Sequence, residues 1–244
     1  MYKNRIDEWK KYSKKSDMMY RKVFQENGNL DLLKNHNIIL KGKKELDMIF
    51  KLAHCILGWE FSSCKTALDV CCGAGYMTNC LNSAGFSAHG IDLCEDAISL
   101  SEKNFPECTF SVCDATNPDD VVLSSKYDFV LIREAHPFSR INEWEYQKKI
   151  LDKYLNSVSQ GGMMVIAHAT FGGGMNYDSL DFQLLKEYLR SREYTFTGPF
   201  NPFFIKQLRF LPFKKKLIPV YSKMANVVQR LTNQRWIEVF LILK

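Results

Sequence analysis

An apolar stripe through Ile6, Trp9, Ser13, Ser16, Met19, Tyr20, Val23 and Phe24 recurs every three to four residues and stops at Asn27-Gly28, which predicts a first helix. A second helix fits residues 43–57, closed by Gly58. From residue 66 the pattern changes. Short continuous apolar runs at 66–71, 86–91, 108–113, 127–132 and 163–168 read as buried strands, and helical periods at 76–84 and 95–104 separate the first of them. Asn142-x-x-Glu145 resembles a capping box and opens a helix through Trp144, Gln147, Leu151, Tyr154 and Val158, with Gly161-Gly162 as its stop. A helix at 178–190, a strand at 193–197 and a long final strand at 235–243 complete the series.

Strands alternating with helices predict an α/β domain built on a mostly parallel sheet with helices on both faces. Residues 1–60 read as an N-terminal helical cap and 61–244 as the main domain. Residues 199–233 carry Pro199, Pro202, Pro212 and Pro219, many aromatics and the run Lys214-Lys215-Lys216, and read as a lid inserted before the last strand.

Composition narrows the class. Of 244 residues, 46% are apolar and 25% charged, which excludes a wholly disordered or collagen-like chain. No apolar run approaches the roughly 20 residues of a membrane span, and the start has no apolar signal core, so a cytoplasmic protein is expected. The eight cysteines fall between Cys55 and Cys113 with no C-x-x-C pair, which predicts reduced thiols and no metal site. The charge balance is +5 over residues 1–60, −7 over 61–199 and +8 over 200–244. Basic ends around an acidic middle suit an anionic partner or a solvated surface.

In an open α/β sheet, ligands bind beyond the carboxyl ends of the strands. Asp69-Val-Cys-Cys-Gly73-Ala-Gly75 stands at the first such end, Asp92 at the second and Asp114 at the third. Two glycines let the backbone turn sharply ahead of a helix N-terminus. A carboxylate at Asp92 can accept two ribose hydroxyls, and an acceptor at Asp114 can hold an exocyclic amine. One such acid is weak evidence, whereas three at successive ends are strong.

The series ALDVCCGAG, GIDLCEDAI, CDAT, YDFVLI and QGGMMVIAH resembles the motifs of class I S-adenosylmethionine-dependent methyltransferases over residues 60–198 and the last strand. The resemblance implies a Rossmann-like seven-stranded sheet with an antiparallel last strand. It also implies S-adenosyl-L-methionine as donor, S-adenosyl-L-homocysteine as product, and no metal. On that pattern Gly73 and Gly75 form the loop against the methionine part and ribose. Asp69 contacts the methionine amino group, Asp92 the ribose, and Asp114 with Ala115 flanks the adenine. Arg133 lies beside the methionine end. Cys71 stands where the family's first loop glycine is usual, a departure from the pattern. The rival, a dinucleotide dehydrogenase, normally needs a third loop glycine, and that position is Thr78.

The acceptor is less legible. After the fourth strand stands Arg133-Glu134-Ala-His136-Pro137-Phe138-Ser-Arg140. His136 can take a proton from a hydroxyl or amine, or can simply shape the pocket. Glu134 is the second base candidate, and Arg140 can bind an anionic group. His168, at the end of the fifth strand, can share the same cavity. Tyr12, Tyr20 and Trp9 would close over the cofactor if the first helix is a lid, and otherwise pack it. The tetrapeptides Asn-Pro-Pro-Tyr and Asp-Pro-Pro-Tyr and a Pro-Cys nucleophile pair are absent. The expectation is therefore a small, anionic metabolite as acceptor. An RNA methyltransferase and a non-catalytic cofactor-binding subunit are the alternatives.

Overall fold

Seven short apolar segments extend as strands: Thr66–Val70 (β1), Ser87–Asp92 (β2), Thr109–Val112 (β3), Tyr127–Arg133 (β4), Val158–Ala169 (β5), Thr195–Phe200 (β6) and Ile237–Leu243 (β7). In the computed structural model, which describes residues 36–61, 65–118, 122, 124–139, 143–169, 180–200, 217, 220, 224, 227 and 237–244, they form one sheet in the order β3-β2-β1-β4-β5-β7-β6. β1 to β5 pair in parallel, and β7 runs antiparallel to both of its neighbours, β5 and β6. This is the Rossmann-like arrangement with a reversed last strand that the motif series implies. The predicted first helix, with Trp9, Tyr12 and Tyr20, lies outside the described residues, as does nearly all of the 199–233 insert.

Among the described residues, six α-helices flank the sheet: His36–Leu52 (α1), Tyr76–Ser83 (α2), Glu95–Asn104 (α3), His136–Ser139 (α4), Trp144–Ser157 (α5) and Phe182–Ser191 (α6). Side chains alternate across each strand, so the central strands feed two cores. Leu68, Val70, Val130, Ile132, Met164 and Ile166 pack with Ile150, Leu151 and Tyr154 of α5 and Leu185 and Leu189 of α6. Ala67, Phe129, Leu131, Met163 and Val165 face the other way, against Leu46, Ile49 and Leu52 of α1 and Cys80 and Leu81 of α2. Full burial on both faces is why these strands read as unbroken apolar runs.

Several boundaries differ from the expectation, each for a physical reason. α1 begins at His36, seven residues before the predicted start, and runs through Gly42. A Cβ at Gly42 would stand 3.0 Å from Cys80 Sγ and Met77 Sδ, so this glycine lets α1 lie close on α2. After Leu52 the helix widens into a π turn over Ala53–Leu57 and closes at Gly58, which takes a left-handed φ of 68°. Asn142 of the predicted capping box lies outside the described residues, and the cap position of α5 is Glu143, with no side-chain cap. Gly161 and Gly162 do not stop α5, which ends at Ser157; they sit inside β5. Gly161 bends the strand at a φ of 75°. A Cβ at Gly162 would meet Ser159 O at 2.9 Å and Asp128 O at 3.1 Å. α6 begins at Phe182 because Asp181 caps it, its carboxylate accepting from the amides of Gln183 and Leu184.

Candidate active site

The carboxyl ends of β1, β2 and β4 bring the predicted acids and glycines together. The loop after β1 turns through three left-handed residues, Cys71 (φ 60°), Gly73 (φ 54°) and Gly75 (φ 77°). Gly75 is the cap position of α2, with no side chain occupying the helix N-terminus. A Cβ there would lie 2.9 Å from Phe110 and Ser101 Oγ, so both the turn and the space require glycine.

Asp92 organises this loop. Its Oδ2 accepts from the Gly73 amide at 2.9 Å and its Oδ1 from the Cys94 amide at 3.0 Å. These two bonds tie the carboxylate to the turn after β1 and to the start of α3. Asp114 folds onto its own chain, its Oδ1 accepting from the Thr116 amide and hydroxyl at 2.8 and 2.7 Å. Tyr154 donates to the Ala115 carbonyl at 2.8 Å and fixes that segment from below.

Asp69 is 2% exposed, and burial pushes its carboxyl up to about 7, against the lowering effects of Thr78 and Arg133. Thr78 Oγ1 donates to Asp69 Oδ2 at 2.7 Å. The position that argued against a dinucleotide loop therefore carries the hydroxyl that holds this acid. Arg133, at the end of β4, makes a forked pair with Glu45 of α1, Nε to Oε1 at 2.9 Å and Nη2 to Oε2 at 3.1 Å. Glu45 carries no motif in the sequence and was missed; one of two acids among the lysines of an amphipathic helix gives no local signal of a partner 88 residues away.

On the acceptor side, Glu134 takes a left-handed φ of 53°, and its amide donates to Ala167 O at 2.7 Å, which ties the β4 loop to β5. His136 opens α4, and its backbone hydrogen-bonds the Cys71 thiol. The loop after β4 therefore rests on the loop after β1. Arg140 lies outside the described residues. His168 is 1% exposed, stacks on Phe182 with ring centroids 4.9 Å apart, and has a hydrogen-bond partner among the described residues at neither ring nitrogen. Burial lowers its imidazole to about 4. Among the described residues, no three His, Cys, Asp or Glu side chains gather as a metal-binding group, and no helix is long and apolar enough to cross a membrane.

A family model described as a methyltransferase domain matches residues 61–192. The chain belongs to that family. Solved class I S-adenosylmethionine-dependent methyltransferases share its fold. The plantazolicin methyltransferase BpumL, solved with S-adenosylhomocysteine and a pentazolic desmethyl-plantazolicin analogue, superposes with a TM-score of 0.57 at 18% identity over 96% of this chain and 98% of its own. An S-adenosylmethionine-dependent methyltransferase from Clostridium acetobutylicum gives 0.55 at 13% identity over 94% and 98%. Phosphoethanolamine N-methyltransferase 2 of Haemonchus contortus, solved with S-adenosylmethionine, gives 0.52 at 14% identity over 80% of this chain, which spans 52% of that protein's length. No curated protein matches the sequence.

Two expectations follow for the methyltransferase without ligand. The folded-state Asp69 value, about 7, lies above its ordinary 3.8. Its contribution to stability is therefore full below pH 3.8 and lost as pH rises through 7. Urea midpoints measured from pH 4 to 8 should fall with a one-proton dependence that Asp69→Asn removes; an unchanged slope in the variant contradicts the assignment. His168→Phe keeps an aromatic ring against Phe182 and deletes two unsatisfied buried nitrogens, so it should stabilise the fold by about 1–3 kcal/mol in urea unfolding. A loss of stability would mean that the nitrogens have partners.

Proposed function

We propose that this methyltransferase moves the methyl group of S-adenosyl-L-methionine to an oxygen or nitrogen of a small metabolite bearing an anionic group. The observation that carries the donor half is the convergence of Asp69, Asp92 and the Gly73–Gly75 turn on one rim, with Asp92 already holding the turn by two backbone amides. The left-handed glycines give the turn no side chains of its own, and Phe110 and Ser101 back it at Gly75. In this reading Asp92 takes the ribose hydroxyls, Asp114 and Ala115 border the adenine, and Asp69 and Arg133 address the methionyl end.

When bound, the donor supplies an electrophilic methyl whose bond to sulfur breaks as the acceptor's lone pair forms the new bond. The bond electrons stay on sulfur, and the acceptor's proton must leave. The protein's contribution is alignment, which can supply roughly 7–11 kcal/mol, and a base, worth roughly 10²–10⁴-fold for a hydroxyl acceptor. His136 takes that proton in our assignment, with Glu134 second. The support is their place on the β4 loop that rests on the Cys71 turn. The assignment of Arg140, Tyr12 and Tyr20 to the acceptor, and of residues 1–60 and 199–233 to its cover, rests on the sequence, since these three residues and most of both segments lie outside the described residues, and His168 is held in the core against Phe182.

The anionic acceptor is supported by the basic balance of both covering segments, +5 and +8. It is also supported by the Haemonchus contortus enzyme, which was solved with phosphomonomethylethanolamine. The decisive experiment incubates the full chain and isotopically labelled S-adenosylmethionine with a metabolite extract and identifies the labelled product by mass. A labelled small anion supports the proposal, and label appearing only in RNA replaces it with the nucleic-acid reading.

Two variants test the assignments. Asp92→Ala should weaken S-adenosylhomocysteine binding about 10–150-fold in calorimetry, the value of charge-assisted hydrogen bonds, and unchanged affinity removes Asp92 from the ribose. His136→Ala should cut turnover by roughly 10²-fold or more while that affinity stays within about twofold. If affinity collapses instead, His136 lines the donor site and is not the base.

A further inference from the structure

Glu45 is 7% exposed, and a buried carboxylate is costly unless it is paired. Its pair is Arg133, through both oxygens. The two residues are brought together by the face they share. Asp69 is in register with Leu131, and Arg133 lies two positions further along β4, so Asp69, Leu131 and Arg133 project from the same face of the sheet. α1 covers that face with Leu46, Ile49 and Leu52, and Glu45 is the neighbour of Leu46.

Asp69 and Arg133 are close enough to influence each other's titration. Even so, among the described residues the ion pair of Arg133 is with Glu45, and the hydrogen bond of Asp69 is with Thr78. A carboxyl and a guanidinium stand at the same rim, each held by a partner other than its neighbour. Without Glu45, the carboxylates acting on the long arginine side chain would be those of Glu134 and Asp69, of which Asp69 is the buried one. A pairing of Arg133 with Asp69 would take both groups out of use for a ligand.

We propose that Glu45 is a positioning residue, which keeps Arg133 off Asp69 so that the two receive the carboxylate and ammonium of the donor's amino-acid end. This rests on the donor proposed above. A guanidinium has five N–H donors in a planar fork. Glu45 takes the Nε–Nη2 edge, and the edge that includes Nη1 is left for an incoming carboxylate. α1 thereby becomes part of the donor site through one residue that never touches the donor.

The test compares two probes on the full chain by calorimetry: S-adenosylhomocysteine, which has the amino-acid end, and 5′-methylthioadenosine, which lacks it. Glu45→Gln should weaken S-adenosylhomocysteine roughly 10-fold or more and leave 5′-methylthioadenosine within about twofold. Equal weakening of both probes, or of neither, overturns the inference while the proposed function stands. A wild-type chain that binds neither probe overturns both. Should Glu45→Gln fail to fold, Arg133→Lys, which keeps the charge and loses the fork, is read by the same split.

Discussion

The central strands are buried on both faces, and this constraint decides where polar chemistry can stand. Ala67, Leu68, Val70, Phe129 to Ile132 and Met163 to Ala167 are almost wholly inaccessible. A polar side chain among them must be hydrogen-bonded or placed at a strand end where a ligand or solvent can meet it. Asp69 is the exception within a strand, and the Thr78 hydroxyl and a raised proton affinity accommodate it. Asp92, Arg133 and His168 stand at or beside the carboxyl ends of β2, β4 and β5. Polar side chains are thus concentrated on one rim by the same burial that holds the fold together.

The rim is also where the backbone is strained. Cys71 and Glu134 take left-handed φ values of 60° and 53°, which cost a non-glycine residue of order 1–2 kcal/mol each. Both are fixed from several directions. Cys72, next to Cys71, donates to Ile91 O at 2.9 Å, and Glu134 donates to Ala167 O at 2.7 Å. Cys71 takes a left-handed φ of the kind glycine adopts at no steric cost, so the departure noted in the motif falls at a position whose backbone suits glycine. Its thiol, pushed up by burial, is a neutral packing group rather than a nucleophile.

How much of this was legible in the sequence depended on the range of each signal. Asp69, Gly73, Gly75, Asp92 and Asp114 announced themselves because each follows an apolar run directly, and the fold gathers successive strand ends on one rim. The glycines were read less well. Gly42, just before the predicted helix start, lies inside α1 as a close-packing point against Cys80. Gly161 and Gly162 looked like a helix stop and are a bend within β5, since pairing with Lys244 at the other end of the chain decides their state. Glu45 and the orphaned nitrogens of His168 depend on partners, or on the lack of them, across tertiary space. No local pattern encodes either.

Alternation along β4 and β5 sorts the remaining chemistry. Arg133 is paired in register with Ala167 and faces α1, whereas His168, one residue on, faces the opposite core and stacks in line with Phe182 and Phe240. Glu238 lies opposite His168 on β7, also buried. The residues assigned to the donor, Asp69, Asp92 and Arg133, therefore occupy one face of the sheet, and the buried His168–Glu238 position occupies the other. A shift of one residue in the β4–β5 pairing would exchange the two environments, placing an imidazole beside the Glu45–Arg133 pair and an apolar side chain against Phe182. Gly162, too crowded by Ser159 and Asp128 to carry a side chain, and Gly161, bent to meet Lys244, hold that register at the far end of the strand. Glycines remote from the rim thus determine which side of the sheet each charged group serves.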